Sequence, residues 1–79
     1  MKPDEFVRVL SDTYPEGQRE LSRSMGRTSN WIATMLSNGT KPRLDTAAAI
    51  ADACGYELVV RERSTGRELG RVEPPRPAE

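Results

Sequence analysis

The sequence predicts a mainly α fold, four short helices followed by a C-terminal β-hairpin, and three observations carry that prediction. Apolar residues recur at helical spacing in separate stretches: Leu21 and Met25 lie four residues apart, as do Ile32 and Leu36, with Met35 between. Helix-breaking residues separate the stretches, at Pro15 and Gly17, at Gly26, at Gly39 and Pro42, and at Gly55. From Tyr56 the composition changes, and β-branched and charged residues alternate instead of repeating every third or fourth position.

The first helix starts in PDEFVRVLSDTY, where Pro3 lacks an amide that a helix start leaves free and two acids suit its positive end. Phe6, Val9, Leu10 and Tyr14 are its expected inward face. Gly17 is the expected N-cap of the second helix, with Glu20 reaching back to the free amides. Gly26 then supplies a left-handed residue, and Thr28 is placed to cap the third helix with its hydroxyl. The stretch from Gln18 to Gly39 thus reads as a helix, a tight turn and a helix. Pro42 holds the TKPR connection extended, and Leu44 to Cys54 restarts a helix whose Ala47, Ile50, Ala51 and Cys54 share one side. Small alanines there allow close packing.

In the hairpin, Ser64-Thr65-Gly66 supplies the turn, with Gly66 at positive φ. A two- or four-residue loop sets Arg63 across from Glu68 and Val59 across from Val72, whereas a three-residue loop opposes Arg63 to Arg67. Opposed like charges are unfavourable, so the even loops are expected. The organisation read from these elements is a helical domain over residues 1–55, a hairpin over 56–73 and a disordered proline-rich tail over 74–79, with no internal repeat.

At 79 residues the chain is a single small domain, able to bury only ~60% of the surface of its unfolded form. Its net charge is zero, which removes the simplest compositional sign of nucleic-acid binding. The distribution says more. Between Gln18 and Leu44, Arg19, Arg23, Arg27, Lys41 and Arg43 face Glu20 alone, a local excess of four positive charges balanced by the rest of the chain. The single cysteine, Cys54, rules out an internal disulfide, and the absence of histidine rules out His-based acid–base chemistry and His metal ligation. No metal or other cofactor is expected. Nor is catalysis: no carboxylate is paired with a nucleophile, a phosphate loop or a metal-ligand spacing. Met1-Lys2-Pro3 leads into charged sequence rather than a signal peptide, and no apolar run approaches the ~20 residues of a membrane span, so the expected location is cytoplasmic.

The order Gln18, Leu21, Gly26, Thr28, Ile32, Met35, Pro42, Leu44 and Thr46 resembles the Cro/repressor-type (XRE) helix-turn-helix family. The MLSNG stretch is similar to the end of the reading helix in lambda-type phage repressors, and the resemblance spans residues 5 to 55. It departs from the family pattern in Ser22, where alanine is usual, in Asn38-Gly39, which displaces the usual glycine by one residue, and in Trp31, large for its position. The resemblance implies a four-helix, lambda-repressor-like domain and a sequence-specific transcriptional regulator, in the manner of a repressor, bound as a homodimer to a palindromic double-stranded operator. By family position Ser29, Asn30 and Thr34 are the base-reading candidates, and Asn30 can offer adenine a donor and an acceptor together. Gln18, Arg19, Arg27, Thr28, Ser37, Thr40, Lys41 and Arg43 are candidates for contact with the DNA backbone or for supporting the reading helix.

Dimerisation is expected through the hairpin, by Leu58, Val59, Val60, Leu69 and Val72, because a lone two-stranded sheet is marginal in water and leaves two open edges. The alternative is that Leu58 and Val60 only fold back on the helices. Trp31 could touch a thymine methyl, yet a core-filling role is favoured, and Cys54 reads as a small core residue. Two rival functions stay open: an antitoxin or phage accessory protein whose hairpin binds a second protein, and a protein-interaction domain that has lost DNA binding.

Overall fold

A computed structural model describes residues 1–75. Pro3–Glu5 forms a 3-10 turn that runs into α1 (Phe6–Ser11). There follow α2 (Gly17–Ser24), α3 (Trp31–Asn38), α4 (Leu44–Ala53) and an antiparallel hairpin of β1 (Leu58–Arg61) and β2 (Glu68–Val72). Four helices and a C-terminal hairpin are thus present, in the predicted order.

Every helix contributes to one core, built from Val7, Leu10, Leu21, Ile32, Met35, Ile50 and Ala51. Leu21, Ile32 and Ile50 are wholly removed from solvent, which stabilises the fold by about 1.5–3 kcal/mol for each side chain. Ala47, Ala48 and Ala51 are buried along α4, which packs against α1 and against both strands. In α1 the inward face differs from expectation. Val7, not Val9, is buried, because Val7, Leu10, Ser11 and Tyr14 complete the i, i+3, i+4, i+7 stripe and leave Val9 39% exposed.

Helix ends explain the turns. Gly26 and Gly39 adopt φ of 73° and 62°, and each lets the next amide bond back to the preceding helix. The N–H of Arg27 donates to the Ser22 carbonyl and that of Thr40 to the Met35 carbonyl, both at 3.0 Å. The expected N-caps do not form. Gly17 is already the first residue of α2, and Glu20 pairs sideways with Arg23 instead of reaching back. Thr28 stands too early to cap, because α3 begins only at Trp31, with Asn30 in the cap position and no cap bond from its side chain.

The hairpin turns through Arg63 to Gly66, a four-residue loop closed by the Glu62 amide donating to the Arg67 carbonyl at 2.8 Å, with Gly66 at φ 75°. Register corrects the expected pairing. Val59 faces Arg71 and Leu58 faces Val72, and an irregularity between Val60 and Arg61 shifts the ladder so that Arg61, not Arg63, meets Glu68, at 3.6 Å. Opposite charges still face each other, through a bulge that simple alternation does not reveal. Of the tail expected to be disordered, residues 76–79 lie outside the described residues, while Pro74 is half-buried. Among the described residues no helix is long and apolar enough to cross a membrane.

Candidate nucleic-acid interface

The candidate surface depends on how α2 holds α3, through the shared core of Leu21, Ile32 and Met35 and through one buried hydroxyl. Ser22 is 0% exposed, donates its Oγ hydrogen to the Gln18 carbonyl at 2.9 Å and accepts the N–H of Ile32 at 3.1 Å. Ile32 is the second residue of α3, so its amide is one of those a helix start leaves without an internal partner. Ser22 therefore caps α3 from the neighbouring helix. An alanine here could not do so, which gives the departure at this position a physical use.

With that bond in place, Ile32 and Met35 are buried and Trp31 and Leu36 half-buried, and the opposite side of α3 faces outward. Ala33, Thr34 and Ser37 are exposed on it, and Ser29 (half-buried) and Asn30 (exposed) lie in the turn just before the first helical residue. None carries a charge. The Thr28 hydroxyl lies 2.8 Å from Asn30 Oδ1 and donates to it, which leaves both amide hydrogens and one carbonyl lone pair of Asn30 free to meet a partner.

Cations stand at both ends of α3. Arg19 on α2, Arg27 in the turn and Lys41 after α3 are exposed and make no ion pair among the described residues. Arg43 lies 3.6 Å from Asp45, with both side chains largely in solvent, where such a pair is worth only about 0–1 kcal/mol and readily exchanges for another anion. Gln18 is half-buried in the first turn of α2, and Thr40 is half-buried with its amide committed to the end of α3. The structure thus places Ser29, Asn30, Thr34 and Ser37 on or beside one helix, with Arg27 in the turn before it, Lys41 and Arg43 in the connection after it, and Arg19 exposed on α2.

No protein-family model, curated protein or solved structure matches this chain.

Trp31 packs against the core from its half-buried position, as favoured, and it has a second contact: the Arg27 guanidinium carbon lies over the ring, 5.0 Å from its centroid. Sequence reading missed this contact, because Arg27 lies in the turn before α3, where a spacing of four does not fix side-chain direction. It also missed the cap from Ser22, for which no local motif exists because the partners lie ten residues apart.

The hairpin residues divide. The hairpin packs on α4, and Leu58, Val59 and Val72 are half-buried, while Val60 is 52% and Leu69 80% exposed. Val60 and Leu69 border the same shallow cleft together with Arg61, Glu62 and Arg67. Cys54 is half-buried, and burial pushes its thiol pKa above the ordinary value. On the hairpin, Arg71 hydrogen-bonds Glu57 at 2.7 Å and lies near Glu73, and both carboxylates favour its charged form.

Proposed function

We propose that this chain is a sequence-specific double-stranded DNA-binding regulator of the Cro/repressor helix-turn-helix type, acting as a homodimer on a palindromic operator. One observation carries the reading. The outward side of α3 is accessible, uncharged and rich in short hydrogen-bonding side chains, while Arg27 before it, Lys41 after it and Arg19 on α2 keep their charge unpaired among the described residues. Base edges are read by neutral donors and acceptors, and phosphates by cations at the margin of the groove. In this reading Asn30 and Thr34, with Ser29, meet bases; Arg19, Arg27, Lys41 and Arg43 meet phosphates; and Gln18, Thr28, Ser37 and Thr40 support the backbone contacts.

The exposed Leu69 and Val60 and the open edges of a two-stranded sheet favour self-association through the hairpin. Two copies related by a two-fold axis would set their α3 helices about 34 Å apart, in successive major grooves on one face of the duplex. A dimer so bound occludes the DNA from polymerase, the action of a repressor. The test is selection of bound sequences from a random duplex pool, together with the mass of the protein in solution. A recovered palindrome and a dimeric mass support the reading. Recovery of no preferred sequence overturns sequence-specific binding, and a monomeric mass at working concentration overturns the dimer.

A further inference from the structure

We propose that Trp31 is a positioning residue for the DNA backbone contact: its ring holds the Arg27 guanidinium at the entry of α3, unneutralised and ready for a phosphate. This rests on the reading of α3 as the helix that faces the duplex.

Arg27 follows the left-handed Gly26 in the turn, so its backbone is fixed by the bond from its amide to Ser22, but its side chain is long and exposed. Asp45, Asp52 and Glu73 line the same groove as Arg27 and Trp31, an opening of about 1100 Å³ between the α3 entry, α4 and the segment after β2. Two of them are occupied, Asp45 by Arg43 at 3.6 Å and Glu73 by Arg71 at 3.5 Å, and none pairs with Arg27. A carboxylate would take the in-plane N–H groups that a phosphate needs, whereas a ring attracts the cation through its face and consumes no charge-assisted hydrogen bond. The ring is itself anchored, because Trp31 packs against the core. Holding the cation in place beforehand also lowers the entropy lost when it meets the phosphate.

Backbone contacts are independent of sequence, so a fluorescein-labelled mixed-sequence duplex serves as the probe, with affinity measured over a range of salt for the intact protein and its variants. Arg27→Ala should weaken binding and flatten the log–log salt slope by roughly 0.9 per protomer. Trp31→Leu should weaken binding about two- to fivefold per protomer and flatten the slope in the same sense, although every cation is still present. Combined with Arg27→Ala it should add nothing further. Trp31→Phe, which keeps a ring and guards against a folding failure of the leucine variant, should fall between. Additive effects of the two single substitutions, or a Trp31 variant with the parental slope, overturn the positioning role while leaving DNA binding standing. A parent protein whose affinity for the duplex does not change with salt overturns both.

Discussion

Replacing Ser22 with alanine removes the one side-chain oxygen that joins α2 to α3. Ser22 and Ile32 are both 0% exposed, so water cannot take over at the Ile32 amide, now 3.1 Å from the serine oxygen. A buried donor left without a partner costs about 1–3 kcal/mol, and the better helix propensity of alanine returns only about half a kcal/mol. The expected net loss is about 0.5–2.5 kcal/mol, against about 4–12 kcal/mol of stability for a domain of this length. At roughly 4–8 °C per kcal/mol the melting temperature should fall by roughly 2–20 °C. Urea unfolding followed by circular dichroism should show a lower midpoint at an unchanged slope, and the Ile32 amide should exchange its hydrogen faster. A Ser22→Ala protein as stable as the parent, with Ile32 equally protected, would show that the hydroxyl does not hold the two helices together.

Asn30→Ala should leave stability nearly unchanged, since Asn30 makes no cap bond and the bond it accepts from Thr28 is exposed to solvent, and should cut discrimination between selected and scrambled duplexes by about 5- to 150-fold in a competition gel; equal discrimination by parent and variant would remove Asn30 from the reading set. Leu69→Lys places a charge on a side chain that is 80% exposed, so helical content should persist while sedimentation shifts from dimer to monomer; an unshifted dimer would place the interface elsewhere. The Cys54 thiol is raised by burial, so the folded state keeps its proton longer than the unfolded chain does. Its contribution to stability is therefore full below the ordinary value of 9.0 and is lost as pH rises through the raised value. Between pH 7 and 10 the parent should lose more urea stability than Cys54→Ala, and parallel profiles would contradict the buried-thiol account.

The helices were legible because their apolar stripes are local: Leu21, Ile32, Met35 and Ile50 all lie where their spacing puts them. Glycines at Gly26, Gly39 and Gly66 were legible for a similar reason, since each conformation is set by one turn. Failures arose where a distant partner decides. Thr28 and Gly17 look like caps by position, but Ser22 on another helix supplies the oxygen for α3. Val9 looked as apolar as Val7, and only the packing of α1 against α3 and α4 chooses between them. In the hairpin, charge pairing correctly favoured opposed Arg and Glu, yet the bulge after Val60 moves the pair to Arg61 and Glu68. In the candidate site, Asn30 and Thr34, expected by family position to meet a partner, are both exposed, whereas Ser29 is half-buried. The pairing of Arg43 with Asp45 and the seat of Arg27 on Trp31 depend on side-chain directions that spacing does not fix.

The most direct measurement is the salt dependence of binding to a duplex recovered by selection. A dimer placing Arg19, Arg27, Lys41 and Arg43 of each copy on phosphates should lose affinity with a log–log slope near −7, from about 0.9 per contact. A slope near zero would contradict a surface in which uncharged side chains of α3 meet the bases and the surrounding cations hold the backbone.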